Sequence, residues 1–162
     1  MQVRRAEEKD IPTVGELLHQ VLEVHAAGRP DLFATGTRKY TDEQLVEIFA
    51  DDTRPVFVAV GEEGEGPQPG EVWGYAFCML EEQEPGGSMQ PIRTLYVDDI
   101  CVDENHRRLG VATTLYNYVV EYARSIDCHH VTLNVWECNP GARAFYEAMG
   151  MKPYKTGMEQ LL

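Results

Sequence analysis

Val102-Asp103-Glu104-Asn105-His106-Arg107-Arg108-Leu109-Gly110-Val111-Ala112 closes an apolar run, makes a polar turn and opens an apolar-striped stretch. Residues 95–102, before it, are apolar and β-branched over the length of one strand, interrupted only by Asp98 and Asp99, as expected of a strand covered on both faces. After it, Ala112, Leu115, Tyr116, Val119, Val120, Ala123 and Ile126 recur at helical spacing and predict a helix of about four turns with one side on a core. The first amides of a helix lack intrahelical acceptors and carry the positive end of the macrodipole, so such a strand-to-helix turn is a ready anion cradle. Gly110 lets a ligand approach the backbone. Taken alone the turn is a weak signal, because many crossovers of this form bind nothing.

Outward from this passage the chain alternates strands and helices. Residues 2–6 predict a short strand, and Asp10 with Pro12 predicts a helix start whose buried stripe is Ile11, Val14, Leu17, Leu18, Val21 and Leu22. Gly28 and Pro30 end that helix. Thr41 and Gln44 have the form of a capping box before Leu45, Ile48 and Phe49. Residues 55–60 and 72–80 read as strands around a polar, Gly/Pro-rich loop at 62–70, and a second loop is expected over 81–90. Residues 130–136 alternate Val131, Leu133 and Val135 with Thr132, Asn134 and Trp136, a strand pattern. A helix over 139–150 turns Ala142, Phe145 and Met149 inward and closes on Gly150, and a last strand is expected over 155–162.

The 162 residues fit one domain, over 1–162, with room for a substantial core. A formal net charge of −13 argues against a nucleic-acid or anionic-membrane binder and would attract cations instead, although most of it reads as solubilising surface. Cys78, Cys101, Cys128 and Cys138 form no C-x-x-C pair and read as reduced, mostly packed thiols. No signal-like or membrane-spanning apolar segment is visible, so a cytoplasmic protein is expected. The histidines show no metal-ligand spacing, adjacent His129 and His130 are expected on opposite strand faces, and no metal is expected. The turn lacks the G-x-G-x-x-G of a dinucleotide fold.

Arg107-Arg108-Leu109-Gly110-Val111-Ala112 resembles the R/Q-x-x-G-x-G/A pyrophosphate loop of the GCN5-related N-acetyltransferases. Asn139-Pro140-Gly141-Ala142-Arg143-Ala144-Phe145-Tyr146, followed by Met149-Gly150-Met151, resembles that family's N-x-x-A-x-x-F-Y…G-F segment. The two motifs stand in the family's order and separation, and the likeness extends over roughly the whole chain. It implies an α/β fold with a mixed, mostly antiparallel central sheet, splayed parallel strands 4 and 5, and flanking helices. It also implies acetyl-CoA as cosubstrate, with the region after the first helix forming part of the acceptor wall.

By the same likeness, backbone groups of Ile100 and Val102 would pair with the pantetheine arm, and the amides of Arg108, Leu109, Gly110, Val111, Ala112 and Thr113 would hold the pyrophosphate, with charge from Arg107 and Arg108. Asn139 would bind the cofactor arm, or serve as a helix N-cap, or both. Tyr146, matching the family tyrosine, would give its proton to the departing thiolate; outside that context it reads as an amphipathic core residue. An alkylammonium acceptor, with a pKa near 10.4, must lose a proton before attack, and Asp98 or Asp99 can accept it. On a regular strand the two point to opposite faces, so that one alone faces the acceptor unless a bulge intervenes. Likeness points to Asp98, and an acidic pocket that merely attracts a cation fits the same residues. Asn134 stands where some relatives carry a catalytic Glu. Cys101 and Cys138 lack a His and carboxylate constellation, and direct transfer needs no acyl-enzyme. The acceptor expected is a small cationic amine or a peptide amine, and homodimerisation through the terminal strands follows from likeness alone. A non-catalytic acyl-CoA sensor is the alternative.

Overall fold

The computed structural model describes residues 1–62, 64 and 70–162, so that the loop expected over 62–70 lies mostly outside the described residues. Its centre is a five-stranded sheet in the order β1 (Gln2–Arg5), β2 (Val56–Val60), β3 (Val72–Glu82), β4 (Arg93–Val102) and β5 (His130–Leu133). The first three pairings are antiparallel and β4–β5 is parallel. β2, Val-Phe-Val-Ala-Val, is buried at every position because both faces are covered. Val56, Val58 and Val60 pack under α1 (Ile11–Gly28) and α2 (Asp42–Ala50), while Phe57 and Ala59 meet α3 (Val111–Ser125).

Local chemistry accounts for the helix boundaries. Thr41 and Gln44 form the expected reciprocal capping box on α2. Asp10 occupies the N-cap of α1, but its carboxylate does not cap the helix as expected. It is buried and takes a two-pronged hydrogen bond from Arg4 (2.7 and 2.8 Å) and one from the Glu7 amide. Desolvation opposes its charge, yet these donors outweigh it and hold the carboxyl below its ordinary range. α4 (Pro140–Ala148) ends at Gly150 (φ 92°) in a Schellman motif, with the Gly150 amide bonded to the Glu147 carbonyl and the Met151 amide to the Tyr146 carbonyl. The inward side of α4 is half-buried and none of its residues is fully enclosed.

Two further expectations differ from the structure. Residues 151–162 are irregular rather than a strand: the segment contains no β-branched aliphatic residue, and Glu159 is drawn to Arg29 by two hydrogen bonds (2.6 and 3.0 Å). His129 precedes β5, so strand alternation does not govern it, and its ring meets that of His130 edge-on at 5.0 Å instead of pointing away.

Candidate active site

The site begins with an irregularity in β4. Phe77 of β3 faces Asp99 and Cys78 faces Val97, so Asp98 is one residue too many. The bulge inverts the alternation of the strand. Before it Leu95 and Val97 pack toward α3; after it Ile100 and Val102 do so, while Cys101 joins the α1 and α2 side. Asp98 and Asp99 therefore line the same cleft rather than opposite faces.

At the same level the sheet parts. β5 pairs with β4 from Thr94↔His130 only to Val97↔Leu133, whereas β4 runs on to Val102. The edge of β4 from the bulge onward is left without a strand partner on the β5 side among the described residues. Tyr146, on α4, lines the cleft with the two carboxylates, as do Tyr96 and Asn134. This cleft has a volume of about 1790 Å³.

The two carboxylates have different surroundings. Asp98 accepts from the Lys39 ammonium (2.5 Å) and the Tyr40 hydroxyl (3.5 Å). Asp99 accepts from the Tyr75 hydroxyl (2.7 Å), and the Ile100 amide also leans toward it. Withdrawal from water, only partly offset by the Tyr75 hydrogen bond and the Lys39 charge, raises the Asp99 carboxyl to about 6. Burial, then the Asp99 charge, pushes the Tyr146 phenol well above its ordinary value, so it holds its proton at neutral pH. Its hydroxyl has no hydrogen-bond partner among the described residues. One side of the cleft thus presents a carboxyl that titrates near neutrality, and another a free phenolic proton. Burial raises both Cys78 and Cys101 to about 12, which makes them poor nucleophiles. No group of three His, Cys, Asp or Glu side chains among the described residues could hold a metal ion.

His25, Phe33 and Trp136 form an aromatic wall of the cleft, with neighbouring ring centroids 5.2 Å apart. Desolvation, aided by the Lys39 charge, lowers His25 and favours the neutral ring. Arg29 and Phe33, in the segment after α1, both border the cleft.

The turn before α3 supplies the second half of the site. Gly110 has φ 80° at the helix N-cap, and a Cβ there would meet nothing within 4 Å. Glycine is thus required for its left-handed backbone rather than for lack of space. The first helical amide bond is Thr114 to Gly110, and the amides of residues 108–113 have no acceptor among the described residues. Side chains diverge around them. Leu109 is 59% exposed, whereas Val111 is 1% exposed in the core and takes the inward position expected of half-buried Ala112. Arg107 and Arg108 are exposed, and neither forms an ion pair among the described residues.

Between this turn and the bulge lies a smaller hollow of about 300 Å³, where Ile100, Val102, Arg107 and Asn139 come together. Asn139 caps α4 by accepting from the Ala142 amide (3.1 Å), which leaves its amide nitrogen for other work. Gln20, from α1, also lines the hollow. Its nitrogen donates to Asp103 (3.3 Å), and its buried oxygen has no partner among the described residues. An amide donor on an elongated ligand would satisfy that oxygen, and the row of unpaired helix amides would satisfy a diphosphate.

A family model described as the Acetyltransferase (GNAT) family matches residues 18–151. The chain belongs to the GNAT acetyltransferases. It is 32% identical over 90 residues to GCN5-related N-acetyltransferase 6, chloroplastic, of Arabidopsis thaliana, a match spanning 55% of this chain and 29% of that protein. A mutant of the BH1408 protein from Bacillus halodurans superposes with a TM-score of 0.92 at 27% identity, covering 100% of this chain and 99% of that one. Glucosamine-6-phosphate N-acetyltransferase from Arabidopsis thaliana shares the fold, with a TM-score of 0.69 at 22% identity over 99% and 97% of the two chains. The GNAT sheet, with its parallel β4–β5 pair, matches the expected fold class.

Within this GNAT site, Gln20, Lys39, Tyr40 and Tyr75 belong to none of the sequence motifs. Gln20 interrupts an apolar stripe between Leu17 and Val24, a signal available in one dimension. Tyr75 and Lys39 meet the aspartates only through tertiary contacts 24 and 59 residues away.

Proposed function

We propose that this GNAT protein is an N-acetyltransferase that moves the acetyl group of acetyl-CoA directly to a primary amine of a small cationic metabolite or a peptide, in a ternary complex. One observation carries the reading: a bulge sets two carboxylates in the cleft that Tyr146 also lines, where β4 and β5 part, near a row of helix amides without acceptors among the described residues. Acetyl-CoA supplies an acyl group activated as a thioester. The amides of residues 108–113, Asn139, Gln20 and the free edge of β4 at Ile100 and Val102 fit its diphosphate and its amide-bearing arm.

Asp98, paired with Lys39, marks where a cationic amine is seated. Asp99, whose carboxyl titrates near 6, takes the proton that frees the amine for attack, directly or through water. Tyr146 gives its proton to the departing sulfur. The assignment of base moves from Asp98, to which likeness pointed, to Asp99, because Asp98 is engaged by Lys39. The whole of 1–162 acts as one catalytic domain in this reading.

Four free thiols support a reducing, cytoplasmic setting. Exposed Tyr154, Met158, Leu161 and Leu162, on the segment that follows α4, together with β5 at the sheet edge, support a homodimer. Among the described residues no helix is long and apolar enough to cross a membrane.

The test is thiol release from acetyl-CoA across polyamines, amino acids, aminoglycosides and peptides, paired with calorimetric titration of CoA. Turnover with at least one amine is expected. CoA binding without turnover on any amine would support a sensor, and absence of CoA binding would overturn the reading of residues 107–113.

A further inference from the structure

The connection between α1 and α2 brings one lysine back over the bulge. Lys39 Nζ lies 2.5 Å from Asp98 Oδ2 and 5.4 Å from the centre of the Tyr40 ring, and the Tyr40 hydroxyl donates to the same carboxylate oxygen. The Asp99 charge acts on the same ammonium. A flexible alkyl stem ending in a primary ammonium therefore sits against Asp98, with the Asp99 charge behind it, in the cleft that Tyr146 lines. Of the other three lysines of the chain, Lys152 and Lys155 also border the cleft but, like Lys9, do not meet the bulge carboxylates. Lys9 pairs with Glu7, while Lys152 and Lys155 follow α4 and have no carboxylate partner among the described residues.

We propose that Lys39 occupies the seat of the acceptor ammonium and is itself acetylated in cis when no external amine competes. The inference rests on the acetyl-transfer reading above and narrows the acceptor to a primary alkylammonium on a flexible arm. In the step, the Lys39 ammonium passes one proton through water to Asp99, and its lone pair forms a C–N bond with the thioester carbonyl carbon. The C–S bond breaks with its electron pair on sulfur. Tyr146 protonates the sulfur and recovers a proton from the nitrogen, which leaves a neutral amide and free CoA thiol. The product no longer carries the charge that holds Asp98, so the carboxylate becomes available to an external cation.

The experiment incubates the full chain with acetyl-CoA alone and follows each lysine by peptide mass mapping, with thiol release on the amine panel run in parallel. The expected result is acetylation of Lys39 at least about tenfold faster than of Lys9, Lys152 or Lys155, as proximity requires. Its first-order rate constant should be independent of protein concentration, fall when spermidine is added, and drop in Tyr146→Phe protein that still binds CoA. Lys39→Arg, which keeps the cation, should show no fast-labelled site. Equal labelling of all four lysines, a rate that climbs with protein concentration, or turnover on external amines with Lys39 unmodified would overturn the inference and leave the acetyl-transfer reading standing. Neither labelling nor thiol release with any amine would overturn both.

Discussion

Asp98 and Asp99, adjacent in sequence, present their carboxylates to the same side of the sheet, because Asp98 is the unmatched residue of the β3–β4 bulge. On a regular strand one of them would have been turned into the α3 core. The irregularity thus gives the cleft one carboxylate engaged by a cation and a second that titrates near neutrality.

Asp99→Asn should lower kcat/KM by about 100-fold, the lower end for loss of a positioned base. The wild-type profile should show an acidic limb near pH 6, because Asp99 acts as a base only above its own pKa, raised by burial to about 6. A pH–rate profile that keeps this limb in the variant would remove Asp99 from the role.

The same substitution should stabilise the fold at neutral pH. The Asp99 carboxyl titrates at about 6 in the folded chain and near 3.9 unfolded. The folded state therefore binds the extra proton between those values, and wild-type stability declines as pH rises through that window. Asparagine can still accept from Tyr75 without carrying charge. Urea unfolding should find the variant about 1–3 kcal/mol more stable than wild type at pH 8. The advantage should vanish near pH 4.

Tyr146→Phe should reduce kcat by about 10- to 100-fold with CoA affinity unchanged, since only the proton donated to sulfur is lost. Stopped-flow thiol release and calorimetry on the same preparation separate the two quantities. A parallel loss of CoA affinity would show that the phenol binds rather than protonates.

Gly110→Ala forces a side chain into φ 80° with no crowding to confuse the result. It should cost about 1 kcal/mol of stability and weaken CoA binding several-fold by tilting the amides of residues 111–113. Thermal unfolding with and without CoA measures both effects.

Gln20→Leu removes the orphaned oxygen from the smaller hollow. Calorimetry should show about a fivefold weaker Kd for CoA, the scale of one lost hydrogen bond of about 1 kcal/mol. An unchanged Kd would mean that the arm does not reach α1.

What the sequence displayed and what it withheld divide along physical lines. The capping box at Thr41 and Gln44, the glycine close of α4 and the apolar stripes of α1 and α3 are local, and each was readable from its own few residues. So were the glycine turn before α3 and the Asn139 cap of α4, as motifs. The bulge was not, because it is a mismatch of register between two strands about 20 residues apart, and either strand alone looks regular. Lys39 lay in a segment without periodicity, and its role depends on where the α1–α2 connection lands. The expected strand over 155–162 failed for a related reason: its few apolar side chains give no period to pair, and the Arg29–Glu159 ion pair directs the segment elsewhere.

The parting of β4 and β5 beside the turn at Gly110 leaves one half of the site made of main chain, while the half around the bulge is made of side chains. A peptide backbone is the same whatever residues it joins. In the proposed reaction, substitutions at exposed positions such as Leu109 would therefore accumulate without disturbing how the donor is held, while exchanges at Phe33, Lys39 or Trp136 would alter which amine is admitted. By that reading, a chain divided in this way would change its acceptor and keep its donor, and its specificity would be open to redesign from one wall of the cleft alone.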